Sequence, residues 1–324
     1  MWSKAAALYA TLLAAPLTAD PVLDAMEEGW RSWAEENGIR ATAFSVMREG
    51  GPPITRALNM DPDAPVILAS VTKPITAICL DMVLDEMPWS WATTLSDLRA
   101  PLTAAGLTVS AEWEGVTLGA LSSMSSGLVT DVTQGGYFRR KNAEKTEDLE
   151  QAANSLATER QADAGYVYNN GNYAILGVVI AALTGETTEA ACQSRVTAPL
   201  GLESARLSDQ WRAMGSAGGW EMAPEDLVRF TLALPELTDD APRAKAGEGA
   251  FFAGGSLTWE TEDGPFLVMR GALCGGLFGI GDMALILRRE DGVAAAVAIK
   301  GCVAPDVFLA LEETLTYAAG QPEN

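Results

Sequence analysis

The sequence predicts an α+β fold: an antiparallel sheet flanked by N- and C-terminal helices, with a helical domain inserted into it. Three observations lead there. Strand-like runs occur near both ends of the chain, at residues 41–48 and 54–58 and again at 266–270, 283–288 and 293–300. The stretch between them is dominated by helical periodicity. Helical patterns also close the two ends, over 21–37 and 306–319. Strands from both termini in one sheet, with the helices segregated, is an α+β arrangement. On this reading residues 20–75 and 215–324 form the sheet domain and residues 76–214 the helical domain. A cleft between the parts is the expected site.

In chain order, Lys4 precedes an apolar stretch, Ala5 to Leu17, followed by Thr18-Ala19. Residues 1–19 read equally as a short secretory signal cleaved near Ala19 or as an N-terminal helix. The signal would place the protein in the periplasm or outside the cell; the helix would leave it cytoplasmic. Over residues 21–37, Val22, Leu23, Met26, Trp30 and Trp33 share one helical face, with acids opposite. Gly50-Gly51-Pro52-Pro53 is a turn between two strands. The spacing predicts further helices over 117–124, 149–157, 173–184, 188–196 and 224–234, several punctuated by glycine. Residues 135–145 read as a polar loop whose Arg139-Arg140-Lys141 is a solvated face or a rim that attracts anions. In the last third, turns are expected at Gly275-Gly276 and Asp291-Gly292.

Composition excludes several functions. There are 324 residues, 48% of them hydrophobic, enough for a large core. Forty-three acidic against 22 basic residues give a net charge of −21, which repels nucleic acid and anionic lipid. The chain contains no histidine, which rules out Ser-His-Asp and Cys-His catalysis and every His-ligated metal site. No metal and no organic cofactor is expected. Beyond the N-terminus no unbroken apolar stretch is long enough to span a membrane. Cys79 and Cys192 lie on apolar helical faces and read as core thiols. Cys274 and Cys302 remain open between thiols and a disulfide. A G-x-G-x-x-A match at Gly279, Gly281 and Ala284 leads into strand-like sequence, so it is not a nucleotide site.

The stretch with chemistry in it is VILASVTKPITAICLDMVLD, residues 66–85. Ser70 and Lys73 sit three apart, and Ile75, Ile78, Cys79, Met82 and Val83 follow at the spacing of a helix with one buried face. A helix starting near Ser70 puts the serine and lysine on one side of its first turn. A serine needs a base to attack at neutral pH, and a desolvated lysine of lowered pKa can be that base. The helix start also offers unpaired N–H groups to an oxyanion. A second cluster is Tyr166-Val167-Tyr168-Asn169-Asn170-Gly171-Asn172-Tyr173, before an apolar helix. There a phenol can relay a proton, and the Asn170 amide can hydrogen-bond a substrate or the lysine.

Together the two stretches resemble the serine beta-lactamase and penicillin-binding superfamily, in its class C-like branch of lactamases, DD-peptidases and related esterases. Residues 68–74, LASVTKP, are similar to the branch's nucleophile segment. Residues 121–128, LSSMSSGL, and 218–230, GGWEMAPEDLVRF, are similar to two further segments in the same order. The resemblance covers roughly residues 40–310. It implies a beta-lactamase/transpeptidase-like fold with Ser70 as nucleophile and Lys73 as its base partner. It implies Tyr168 as general acid/base and Asn170 as the group that orients substrate or Lys73.

Two departures bear on the substrate. The branch carries a K-T-G or H-x-G motif on a strand lining the cleft; here the matching residues are Met269-Arg270-Gly271. Gly271 keeps the strand backbone close to substrate, and the Ala272 N–H would be the second oxyanion donor beside that of Ser70. Met269 removes the cation that helps bind a substrate carboxylate, and Arg270 compensates only if it faces the cleft. Met124 replaces the histidine usual in the second segment. The expected function is therefore a serine hydrolase forming an acyl-Ser70 intermediate, on a small carboxylic ester before a beta-lactam or D-amino-acid peptide. The alternatives are lactamase or peptidase activity, acyl transfer to an alcohol, or a non-catalytic ligand sensor of the same fold.

Overall fold

Residues 293–300 send successive side chains to opposite faces of the sheet, and that sets the layers. Val293, Ala295, Val297 and Ile299 join one hydrophobic cluster, with Trp30, Trp33, Phe44 and Leu311. Ala294 and Ala296 join the other, with Ile75, Tyr173 and Phe230. Both sheet faces are covered, so the strand is apolar on both sides and buried from Val293 to Ile299.

The computed structural model describes residues 20–133, 148–238, 240–261, 264–275 and 280–318. The expectations for residues 1–19, the Arg139-Arg140-Lys141 run, Gly276 and Gly279 lie outside them. Helix α1 (Pro21–Glu36) starts at Asp20, whose carboxylate accepts from Val22 N–H, with Pro21 just inside. Trp30 ties it to β1 (Thr42–Arg48), donating to Thr42 Oγ1 at 3.2 Å and stacking on Phe44. Strand β2 (Ile54–Leu58) pairs antiparallel with β1, and β3 (Val66–Ile67) leads into a 3₁₀ turn, Ala69–Val71. Helix α2 (Thr72–Asp85) follows. One buried face was expected of it; residues 72–80 are in fact all buried, because α2 runs through the centre of the molecule.

Next come α3 (Arg99–Ala104) and α4 (Leu118–Ser122). α4 is shorter than predicted because Thr117 caps it and Met124, at φ 60°, cannot continue a right-handed helix. α5 (Asp148–Leu156) precedes α6 (Asn170–Thr184), which begins earlier than predicted. Its cap is Asn169, accepting from Gly171 N–H, and it ends at Gly185 in the left-handed conformation. α7 (Thr188–Cys192) continues through a π turn, Gln193–Thr197, to β4 (Arg206–Leu207). Then α8 (Gly215–Gly218), β5 (Trp220–Met222) and α9 (Pro224–Leu237) complete the middle of the chain.

The last third contains β6 (Arg243–Gly247), β7 (Ala250–Ala253), β8 (Ser256–Trp259), β9 (Phe266–Gly275), β10 (Ile280–Arg289), β11 (Val293–Lys300) and α10 (Pro305–Thr316). The antiparallel main sheet runs β2-β1-β11-β10-β9-β8-β7-β6, and β3-β5-β4 form a small second sheet. Strands from both termini thus share one sheet, as the sequence suggests. β1 and β11 are neighbours, pairing Thr42 with Ile299 and Arg48 with Val293. Strands β6 to β8 were not anticipated: β6 alternates exposed and half-buried residues and has little apolar signal.

The cysteines correct one expectation. Cys79 and Cys192 are a disulfide joining α2 to α7, with Cα atoms 5.1 Å apart, and not core thiols. Their apolar surroundings are real, but two buried thiols facing each other across packed helices have the geometry to bond. The open pair, Cys274 and Cys302, is also bridged, tying β9 to the segment after β11. No single helix among the described residues is long and apolar enough to cross a membrane.

Candidate active site

Ser70 sits in the 3₁₀ turn, held between backbone constraints. Ala69 before it has φ 47°, a conformation costing a non-glycine residue about 1–2 kcal/mol. Leu68 N–H donates to Trp220 C=O at 2.9 Å, and Val71 N–H to Leu68 C=O at 3.0 Å. The turn is thus sewn to β5 and forced into a tight path, which aims the serine out of the helix start.

Lys73, one turn on, is fully buried. Its Nζ donates to Ser70 Oγ at 3.1 Å, Asn170 Oδ1 at 2.8 Å and Ala217 C=O at 2.8 Å. Three acceptors saturate an ammonium. Burial nevertheless disfavours the charge and lowers the Lys73 pKa from 10.5 to about 7; the Asp131 carboxylate opposes that fall. The ammonium also lies 4.9 Å from the Tyr168 ring centroid and 5.8 Å from that of Tyr173.

Tyr168 is 39% exposed as a residue. Its phenol nonetheless titrates far above the ordinary range, because burial disfavours the phenolate, and a hydrogen bond to Ser70 takes back part of the rise. These facts fit a ring lying along the cleft wall with its hydroxyl turned inward. Tyr166, whose phenol burial pushes up to about 12, packs with Tyr168 around Phe252, at centroid distances of 5.7 and 6.1 Å.

Asn170 is the first residue of α6, and two neighbours set its amide. Its Nδ2 donates to Asp131 Oδ2 at 3.2 Å and to Thr133 Oγ1 at 3.1 Å. Sequence reasoning passed over Asp131 and Thr133. Their signal was slight: two polar side chains just after the LSSMSSGL segment. Met124, at the position where histidine was expected, accepts through Sδ from Asn169 N–H at 3.4 Å and Asn172 Nδ2 at 3.3 Å.

Strand β9 passes directly behind the serine. A Cβ on Gly271 would collide with Leu68 C=O and Ser70 N, so only glycine lets the strand come this close. Ala272 follows it, exposed. Gly255, in the β7–β8 turn at φ 85°, is pressed in the same way against Lys73 and Pro74. Strand parity separates Met269 from Arg270. Met269 is buried in the cluster that holds α2, while Val268 faces the opposite cluster. Arg270 shares the Val268 side, where its Nε pairs with Glu312 Oε2 of α10 at 3.1 Å. The condition under which Arg270 compensates for Met269, that it faces the cleft, is therefore not met by this ion pair with α10.

Several solved structures share this fold. The D-amino acid amidase of Ochrobactrum anthropi SV3, solved with L-phenylalanine amide, is 15% identical, with a TM-score of 0.71 over 91% of this chain and 99% of its own. A beta-lactamase/D-alanine carboxypeptidase from Pseudomonas syringae is 13% identical, with a TM-score of 0.72 over 94% of this chain and 100% of its own. A D-stereospecific amidohydrolase from Streptomyces sp. is 18% identical, with a TM-score of 0.68 over 91% and 98%. At such identities these likenesses establish the fold. No curated protein matches the sequence. Residues 22–301, most of the chain, match the Beta-lactamase family, and the protein belongs to that family.

Proposed function

We propose that the protein is a serine hydrolase that works through an acyl-Ser70 intermediate. The observation that carries this reading is the buried Lys73 amine, 3.1 Å from Ser70 Oγ, with a pKa near neutrality. In its neutral form Lys73 keeps two N–H donors for Asn170 Oδ1 and Ala217 C=O and turns its lone pair to Ser70. Ser70 Oγ attacks the substrate carbonyl carbon, and the hydroxyl proton passes to Nζ. The oxyanion lies between the N–H groups of Ser70 and Ala272. Collapse breaks the bond to the leaving group, which takes up the proton carried by Lys73. Water then attacks the acyl carbon, frees the acid and restores Ser70.

The Tyr168 phenol stays protonated across the neutral range, so its part is to relay a proton, and Lys73 is the base. Asn170 holds Lys73. Gly271 keeps β9 close enough for its backbone to meet the substrate. In this reading Arg270 is not a substrate ligand: its guanidinium pairs with Glu312, and among the described residues its charge reaches the cleft only through its pull on the Tyr166 phenol.

The substrate we favour is a small carboxylic ester. With Met269 buried where the family resemblance leads one to expect a cation, and Arg270 turned away, β9 brings no positive side chain to a substrate carboxylate. A neutral amino-acid amide also lacks that carboxylate. The likeness to the amidase solved with L-phenylalanine amide supports it as a second reading. Turnover of a short-chain nitrophenyl ester, an amino-acid nitroanilide and a chromogenic cephalosporin separates the cases. Ester or anilide hydrolysis well above cephalosporin hydrolysis is expected. Preferred hydrolysis of the cephalosporin would overturn the assignment of a neutral substrate.

A further inference from the structure

Beyond Ser70, Lys73, Tyr168 and Asn170, one carboxylate reaches the Ser70–Lys73 pair through a fixed chain of contacts. Thr133 donates to Asp131 Oδ1 twice, through Oγ1 at 2.6 Å and N–H at 2.9 Å. The other oxygen, Asp131 Oδ2, accepts from Asn170 Nδ2 at 3.2 Å. An ionised carboxylate only accepts hydrogen bonds, so the Asn170 amide must turn its NH₂ toward Asp131 and its oxygen toward Lys73. That is the orientation in which Asn170 Oδ1 meets Nζ at 2.8 Å.

The charges facing Lys73 can be named element by element. α6 and the segment before it bring the phenols of Tyr173 and Tyr168, both kept neutral by burial. α8 brings the Ala217 carbonyl. β9 brings Gly271 against the Ser70 turn, and the β7–β8 turn brings Gly255 against Lys73 itself, neither of them charged. Asp131, after α4, is the one carboxylate that acts on Lys73 among the described residues.

We propose that Asp131 is a positioning residue: it fixes the Asn170 amide oxygen against Lys73 and supplies the counter-charge for the proton Lys73 takes from Ser70. This rests on the serine hydrolase reading. When Ser70 Oγ bonds to the substrate carbon and its proton moves to Nζ, a buried ammonium forms beside an oxyanion. Burial alone weakens the amine as a proton acceptor. A fixed negative charge returns part of that proton affinity, and a base works best when its affinity matches the working pH.

The test uses the full chain labelled with ¹³C-lysine, with the Lys73 signal assigned by its loss in Lys73→Arg. The Lys73 titration midpoint is read by NMR in wild type, Asp131→Asn and Thr133→Val. The rate of Ser70 labelling by a fluorophosphonate is followed against pH in the same three proteins. In Asp131→Asn the midpoint should fall by on the order of one pH unit, and the acid limb of labelling should move down with it. Thr133→Val keeps the charge but removes one hydrogen bond each from Asp131 and Asn170, so its midpoint should move clearly less than in Asp131→Asn. A midpoint unchanged in Asp131→Asn, or shifted equally in Thr133→Val, would overturn the proposal. Asp131→Ser provides a second neutral variant, in which the same downward shift is required if Asp131→Asn does not fold. Absence of labelling in wild type would remove the hydrolase reading, while the NMR midpoint would still report whether Asp131 acts on Lys73.

Discussion

A Cβ on Gly271 would collide with the main-chain oxygen of Leu68 first and then with the main-chain nitrogen of Ser70. The nucleophile turn and β9 are therefore in backbone contact, and the distance between them is set by the absence of one carbon. Gly271→Ala should push β9 and the Ser70 turn apart. Displacements of about 1 Å at a reacting group can cost on the order of 10²-fold in rate. A loss of that size in kcat is expected, with a circular dichroism spectrum like that of wild type. Unchanged turnover would show that the two backbones need not touch.

The rate should depend on the protonation of Lys73. Its pKa of about 7 means that the neutral, basic form grows as pH rises through that value. kcat/KM should therefore rise with pH through about 7 and level off above it. Lys73→Met should remove this limb and lower kcat by about 10³-fold or more. A profile that is flat from pH 5 to 9 would contradict a lysine base.

The same group leaves a mark on stability. Lys73 titrates at about 7 when folded, against an ordinary 10.5. Between those values the unfolded chain binds the extra proton, so stability must rise with pH. Asp148 behaves oppositely. It is buried and accepts from Ser216 N–H and Oγ at 2.9 and 2.7 Å, and burial raises its pKa from 3.8 to about 6. Between pH 4 and 6 the folded state holds the proton, so its contribution falls as pH rises. Urea unfolding of wild type minus Lys73→Met should therefore grow from pH 7 to 9, by up to about 1.4 kcal/mol per unit. Wild type minus Asp148→Asn should shrink from pH 4 to 6. Differences independent of pH would contradict both assignments.

Arg270 should matter for folding and little for substrate. Glu312 is nearly buried, and its pKa is raised by burial against the pull of Arg270. Arg270→Met leaves that carboxylate without its cation, at a cost of about 1–3 kcal/mol. KM for a neutral ester should stay within about twofold, and Arg270→Met/Glu312→Leu should recover stability by removing the stranded acid. A large rise in KM with unchanged stability would place Arg270 in the cleft after all.

How much of this was legible in the sequence differs from residue to residue. The strand at 293–300 and the helix at 21–36 were readable because a covered sheet face and an amphipathic helix impose strong local patterns. The approach of Lys73 to Ser70 was legible because a spacing of three is a contact within one helical turn. Arg270 was not, since the side of the sheet it takes depends on the pairing of β9 with β10, which no local pattern reveals. The Cys79–Cys192 bridge spans 113 residues, and Asp131 is 39 residues from Asn170. Both contacts exist only once α2, α6 and α7 have packed. Strands β6 to β8 are too short and too exposed to stand out from loop sequence.

The most direct test of the central claim is the intact mass of the protein after incubation with a broad fluorophosphonate, with Ser70→Ala measured beside it. The account predicts a single adduct on wild type, formed faster above pH 7 than below it, and none on Ser70→Ala. A folded wild type that takes up no adduct, or a Ser70→Ala protein that is labelled equally, would contradict an activated serine at this position.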